Sequence, residues 1–176
     1  AITPVERRAV TEACRRSGAS DAQLIEQPLA AAIGADLPIG EAFGSMVVDV
    51  GGGTSESALL SLGGVVELEA VRIGSFDIDR AIQAHVRREY GLAIGERTAE
   101  EIKWTIGSAA ETPGEGRAEV KGREMMTGMP KTVILTPAEI RNAIDDPVSA
   151  IIESVASCLS KAAPELAQDL LVSGVH

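Results

Sequence analysis

Aromatic side chains are nearly missing from this sequence: Trp104, Tyr90, Phe43 and Phe76 make up 2% of 176 residues. Modules that grip single-stranded nucleic acid stack bases on several aromatic rings, so the scarcity argues against that class. Basic charge is also in deficit. Sixteen Lys and Arg stand against 26 Asp and Glu, for a net charge of −10. Such a surface repels a phosphate backbone, although it leaves room for one small phosphate ligand held locally. Cysteine is scarce too. Cys14 and Cys158 are too few and too far apart for a disulfide scaffold or a zinc knuckle. Both fall at apolar phases of predicted helices and read as buried free thiols, which suits a reducing cytoplasm. No apolar run approaches the roughly 18 residues of a membrane span. No secretory leader is expected, because Arg7 and Arg8 lead into Thr11, Glu12 and Cys14.

What is present is a globular composition, 45% hydrophobic and 24% charged. The length allows one domain or two small lobes. Chains of this size bury about 70% of their unfolded surface. With so few rings, the core must be built from Ala, Val, Ile and Leu.

The pattern along the chain predicts α/β architecture. Thr3-Pro4-Val5-Glu6 is a capping box with proline at the first helical position. Val5, Ala9, Val10, Ala13 and Cys14 then form an apolar stripe that ends at Gly18. Ala22–Ile25 reads as a short strand, Pro28 opens a small helix ending at Gly34, and Ala35–Phe43 is a linker. Three strands follow, Ser45–Val50, Thr54–Leu62 and Val65–Ile73, joined by glycine turns into an antiparallel meander. Asp77–Arg88 is helical, with His85, Arg87, Arg88 and Glu89 as a solvated face. Thr98–Glu101 starts a capped helix running to Ile106, and Glu111–Gly116 is a Pro/Gly loop. Ala118–Met126 and Lys131–Leu135 pair as strands, and Thr136-Pro137-Ala138-Glu139 repeats the opening capping box. Pro147 starts a helix with Val148, Ile151, Ile152, Val155 and Leu159 on one side, and Leu170–Val175 reads as a final strand.

The chemistry sits in Asp49-Val50-Gly51-Gly52-Gly53-Thr54. An acid ends an apolar strand, and three glycines turn the chain into the next. Without Cβ atoms they can take φ > 0 and converge backbone N–H groups on an anion. Asp49 can hold a divalent cation through water, and Thr54 can orient a water or touch a phosphate oxygen. These are the parts of phosphoryl transfer, although no Walker Gly-Lys-Ser/Thr is present. The alternative is an ordinary hairpin turn. A second constellation is Glu26-Gln27-Pro28, whose polar pair can orient a water or simply cap a helix. A third is Glu100 with Lys103, three residues apart on one helix face. The pair can bracket a ribose and a base edge, or form a solvated i,i+3 ion pair.

Together these stretches resemble the MreB/Mbl family of bacterial actin-like cell-shape proteins. The matching segments are ITPVERRAVTEAC, LIEQPLAAAIGADLP, GSMVVDVGGGTSESALLSLGGVV, GERTAEEIKWTIGSA and TGMPKTVILTPAEIR, in family order, over essentially the whole chain. DVGGGT alone is shared with sugar kinases and heat-shock chaperones; GERTAEEIK with IGSA, and TGMPKT, mark the MreB branch. The resemblance implies a partial actin-like (ribonuclease H-like) ATPase fold, with ATP and Mg²⁺ between two lobes. Its subdivision would be 1–38 (tail of the first lobe), 39–90 and 147–176 (inner second lobe) and 91–146 (outer second lobe). It implies cytoplasmic filaments of self-associated subunits at the inner membrane surface, guiding cell-wall synthesis and elongation proteins, with no nucleic-acid partner.

Carried over by residue, Gly51, Gly52 and Gly53 look like the second phosphate loop and Asp49 like the metal-side acid. Thr54, Gln27 and Glu26 look like the groups around the hydrolytic water, and Glu100 and Lys103 like nucleoside contacts. Most family members carry Glu where this sequence has Gln27, and an amide is a poor base at neutral pH. The first phosphate loop and the adenine-side glycine cluster are not found between Ala1 and His176. The expectation is therefore an excerpt that alone binds ATP weakly, in the millimolar range, without turnover. Two competing readings are a heat-shock-type chaperone ATPase domain and a non-hydrolysing actin-like scaffold.

Overall fold

Thr3 begins the first helix as its sequence predicts. Its hydroxyl accepts from the Glu6 backbone N–H, and the Glu6 carboxylate accepts from the Thr3 N–H, satisfying two otherwise orphaned donors. The fold comes from a computed structural model that describes residues 3–111 and 116–176. In chain order its elements are α1 (Pro4–Arg16), α2 (Gln27–Gly34), β1 (Ser45–Val50), β2 (Ser55–Ser61), β3 (Gly64–Val71) and α3 (Ser75–Tyr90). There follow β4 (Leu92–Ala93), α4 (Glu96–Ile106), β5 (Ala118–Glu124), β6 (Pro130–Leu135), α5 (Pro137–Ala143), α6 (Asp145–Lys161) and α7 (Pro164–Ser173). The Pro/Gly loop predicted at Glu111–Gly116 lies for the most part outside the described residues.

The chain divides into two compact units. One comprises Ala1–Asp49, Glu56–Ala70 and Ser157–His176; the other comprises Val50–Ser55 and Val71–Ala156. The first sheet has the order β1-β2-β3. Neighbouring strands joined by such short turns must run antiparallel, because a parallel pair needs a long crossover. In the first unit Ala32, Val47, Ala58 and Leu60 form the buried core, with Leu37 and Ile39 of the linker packed on it. In the second unit the sheet order is β4-β5-β6, antiparallel, with Val120 opposite Val133 and Leu92 opposite Glu124. Helices α3, α4 and α5 cover it, burying Ile82, Val86, Ala99, Ile102, Leu135 and Ile140. Both buried clusters are aliphatic, as the missing aromatics require. Each fully buried Val, Leu or Ile among them contributes about 1.5–3 kcal/mol.

Four local expectations are corrected. Leu170–Val175 is not a strand: Pro164 and Glu165 start α7, which runs to Ser173, and Gly174 closes it at φ +77°. Within that run Leu166, Leu170 and Ser173 turn inward while Leu171 and Val172 are exposed, a helical period that composition alone hides. A single parallel bridge, Met46 to Val175, is what remains of the strand. Ala22–Ile25 alternates half-buried and exposed residues but joins no sheet among the described residues, and a strand without a partner has no ladder. Helix α4 starts at Glu96, capped by Gly95, so Thr98 lies within it rather than in front of it. His85 is buried with its ring edge-on to Tyr90, and Arg87, Arg88 and Glu89 keep the solvated face. Of the thiols, Cys158 is buried and Cys14 half-buried, both free.

The second capping box carries an extra strut. Glu139 accepts from the Thr136 N–H and hydroxyl and from the Tyr90 phenol. The Tyr90 hydrogen bond, then that of Thr136, holds the Glu139 carboxyl below its ordinary 4.5. Tyr90 is in turn pushed up to about 12, first by that hydrogen bond. A carboxylate with a depressed folded pKa stabilises above its unfolded value and loses that contribution as pH falls through the folded one. Glu139→Gln keeps the capping geometry but turns charge-assisted hydrogen bonds into neutral ones, so it is expected to lower stability by about 1 kcal/mol at neutral pH. It should also flatten the acid limb below pH 4.5. Urea unfolding at pH 7 and pH 3 checks this; an equal loss at both would show the carboxylate's charge to be irrelevant.

Candidate functional site

Helix α2 begins directly after Glu26, and Pro28 fixes its first turn. This places two adjacent polar side chains on different partners. Glu26 Oε1 accepts from Arg7 Nη2 of α1 at 2.6 Å, and that guanidinium holds its carboxyl below the usual range. Gln27 Nε2 donates to Asp49 Oδ2, also at 2.6 Å, across 22 residues of sequence. An ionised carboxylate can only accept, so the amide nitrogen must face it and the amide oxygen is left to accept from a third group such as water. Two of the constellations read separately from the sequence thus meet, and Glu26 is drawn away from the pair.

The glycine turn is built against α3. Its Gly51 N–H donates to the Thr54 carbonyl at 2.9 Å. The Gly51 and Gly52 carbonyls accept from the Ser75 and Phe76 N–H groups, both at 2.9 Å. Two orphan donors at the N-terminus of α3 are thereby used to hold the turn in place. None of Gly51, Gly52 and Gly53 takes a positive φ, so it is close approach, at Gly52, and not backbone conformation that favours glycine here. A Cβ on Gly52 would stand 2.7 Å from the Phe76 ring. One on Gly53 would meet nothing within 4 Å, so that face of the turn is open. Thr54 and Gly53 are exposed.

In the same unit Glu100 of α4 faces α3 across a cavity of about 570 Å³, lined also by Phe76, Asp79, Arg80, Gln83, Glu96 and Arg97. That volume falls within the roughly 300–1,000 Å³ of small-molecule pockets. Lys103 does not pair with Glu100. Its Nζ lies 2.9 Å from Asp79 Oδ1 and 3.5 Å from the Ser75 carbonyl, with 15% of its side chain exposed against 9% for Asp79. Asp79 was missed from the sequence, yet a signal was present: it falls in register with Ile82 and Val86 on the buried face of α3. A charge on such a face needs a partner. Among the described residues no three of His, Cys, Asp and Glu converge as a metal cage. The lone carboxylate of Asp49 still fits Mg²⁺, which keeps several waters and takes one or two carboxylates.

The family profile described as MreB/Mbl protein matches residues 1–176. The chain is 49% identical over 173 residues to the cell shape-determining protein MreB of Escherichia coli (strain K12), covering 98% of this chain and 50% of that protein. It is 36% identical over 174 residues to the cell shape-determining protein Mbl of Bacillus subtilis (strain 168), covering 99% and 52%. The chain therefore spans about half the length of these relatives. Its fold superposes with a TM-score of 0.94 on the crystal structure of MreB5 of Spiroplasma citri bound to AMPPNP, at 33% identity over 99% of this chain and 52% of that one. The ADP-bound form of that protein gives the same score, over 53% of its chain. An actin-like fold, a match along all 176 residues and near-half identity to named relatives together establish that the chain belongs to the MreB/Mbl family.

Proposed function

We propose that this chain supplies part of the nucleotide site and of the body of an ATP-binding, filament-forming bacterial actin that controls cell shape. Support comes from the nucleotide-bound state of its Spiroplasma citri neighbours and from the cell-shape role named for its relatives. The observation that carries the reading is the hydrogen bond from Gln27 to Asp49, two residues before the glycine turn. In this reading Gly51–Gly53 cradle the phosphates, and Glu100 with Lys103 contacts the nucleoside. Asp49 would be the residue that holds Mg²⁺, and the metal would supply charge neutralisation on the phosphates when bound. Gln27, its nitrogen tied to Asp49, offers its amide oxygen to the attacking water, and Thr54 is assigned a hydroxyl role in placing that water. Glu26, held by Arg7, stays out of the reaction. The inner second lobe is assigned to 39–90 and 147–176, the outer to 91–146 and the end of the first lobe to 1–38. The filament is cytoplasmic and lies at the inner membrane surface, where it directs wall-synthesis and elongation proteins. The relatives' names do not favour a chaperone ATPase domain.

An amide positions water but accepts no proton, so slow hydrolysis is the reading's own consequence. Gln27→Glu is expected to raise phosphate release by about 10²-fold, the low end of general-base contributions. The assay uses the full reading frame that carries this sequence, with Mg²⁺ and ATP. An unchanged rate would remove Gln27 from the water's surroundings. Failure of the wild-type protein to bind ATP would remove the whole proposal. Wild-type binding without release, unrelieved by the substitution, would leave a non-hydrolysing scaffold, which the amide at position 27 keeps as the second reading.

A further inference from the structure

A carboxylate taken into a protein interior normally accepts hydrogen bonds that replace its lost hydration. Asp79 does not. It is 6% exposed, and neither of its oxygens takes a hydrogen bond among the described residues. Oδ1 lies 2.9 Å from Lys103 Nζ, a contact that balances the charge without an aligned hydrogen bond. The charge is met and the accepting capacity is unspent. Asp79 also lines the cavity of about 570 Å³ between α3 and α4. The other walls call for the same kind of ligand. Glu96 and Glu100 line the cavity and pair with no cation among the described residues. Gln83 spends its amide nitrogen on the Ile94 carbonyl at 3.1 Å, which leaves its oxygen as an acceptor. The two cationic side chains of the cavity are engaged with carboxylates that do not line it, Arg80 with Asp77 and Arg97 with Glu101. A ligand that fits must therefore bring the donors.

The position of the cavity says which donors. Phe76 lines it, and the same ring packs so closely on the glycine turn that a Cβ on Gly52 would stand 2.7 Å away. The cavity thus opens beside the turn. Asp79 follows three residues further along α3, about 4.5 Å at a rise of about 1.5 Å per residue. In a nucleotide whose phosphates sit on the turn, the next part along is the ribose, which carries two adjacent hydroxyl donors. Carboxylates accept ribose hydroxyls in dinucleotide sites by the same chemistry. We propose that Asp79 reads the sugar: its free oxygen accepts from one ribose hydroxyl and Glu100, on the facing helix, accepts from the other. The cavity then selects a ribonucleotide over its deoxy forms. Lys103 serves as the countercharge that makes a carboxylate tolerable at this depth. The inference deepens the nucleotide reading given above and rests on it.

Isothermal titration calorimetry tests it on the full reading frame that carries this sequence, with Mg²⁺ and three ligands: ADP, 2′-deoxy-ADP and 3′-deoxy-ADP. Wild type should bind ADP at least about tenfold more tightly than either deoxy form, the worth of one hydrogen bond to a charged group. In Asp79→Asn the amide oxygen is drawn to Lys103, so a donor replaces the acceptor in front of the sugar. That variant should lose the discrimination against one deoxy form and keep it against the other, whose hydroxyl Glu100 holds. A merely structural role for Asp79 would weaken all three nucleotides alike. Should Asp79→Asn fail to fold, Asp79→Leu/Lys103→Met removes both charges together and gives the same readout. Equal wild-type affinity for the three ligands overturns the proposal and leaves the nucleotide reading standing. A wild-type preference that persists unchanged in the variants, or that falls only through an equal loss for all three ligands, overturns it too. Failure of wild type to bind ADP at all removes the nucleotide reading, and this proposal with it.

Discussion

Asp79→Ala is expected to destabilise the second unit by about 3–5 kcal/mol, the range for removing one partner of a buried ion pair. The pair is well sheltered, with 9% of the Asp79 side chain and 15% of the Lys103 side chain exposed, and the charged atoms are 2.9 Å apart. Without Asp79, the Lys103 ammonium keeps a single contact, to the Ser75 carbonyl at 3.5 Å. An ammonium held in a partly desolvated site with so little compensation costs far more than a broken surface pair, which is worth about 0–1 kcal/mol. The companion variant separates charge from shape. Asp79→Leu/Lys103→Met removes both charges, fills a similar volume and should recover most of the loss. Urea unfolding of the two variants and the wild type is the measurement. A loss below about 1 kcal/mol in Asp79→Ala would mean that solvent reaches the pair more freely than its burial indicates.

Gly74→Ala is the second large effect. A Cβ there would stand 2.5 Å from the Gly51 carbonyl oxygen and 2.6 Å from the Gly52 carbonyl carbon and oxygen. All three are backbone atoms of the glycine turn, held by the Ser75 and Phe76 N–H groups, so nothing can swing aside as a side-chain tip would. Overpacking of this kind costs about 1–3 kcal/mol and must displace the turn. Gly53→Ala is the control: its Cβ enters open space, so stability should change by less than about 0.5 kcal/mol. If the turn cradles phosphates as proposed, the two variants part in a second way. Both should weaken nucleotide binding, Gly74→Ala through a displaced turn and Gly53→Ala through a methyl on its open face. Thermal unfolding paired with nucleotide titration reads both. Wild-type stability in Gly74→Ala would refute the close packing of turn and helix. Full nucleotide affinity in Gly53→Ala would take the open face out of the site.

Much of this is legible in the sequence. The capping boxes at Thr3 and Thr136 are local devices whose partners lie three residues away, so sequence spacing alone specifies them. Strands β1 to β3 were recognisable because an apolar run between glycine turns has few other ways to bury itself. Aliphatic cores followed from the missing rings. The motif order also pointed to the family that the comparisons establish.

Other features depended on partners that no short spacing encodes. Leu170–Val172 is as apolar as a strand, and Pro164 with the inward phase of Leu166 and Leu170 settled it as a helix. Lys103 had a carboxylate three residues away in Glu100 and still paired with Asp79 on another helix. Burial favours the partner that is already desolvated over one that keeps its water. Glu26 and Gln27 are neighbours in sequence, but the first turn of α2 points one at Arg7 and the other at Asp49. The sequence by itself thus determined the residue types, the two capping boxes, whose partners lie three residues away, and the family, whose motifs are linear stretches of sequence. The tertiary structure decided which charge meets which, because that choice is made by distance and desolvation across the folded chain.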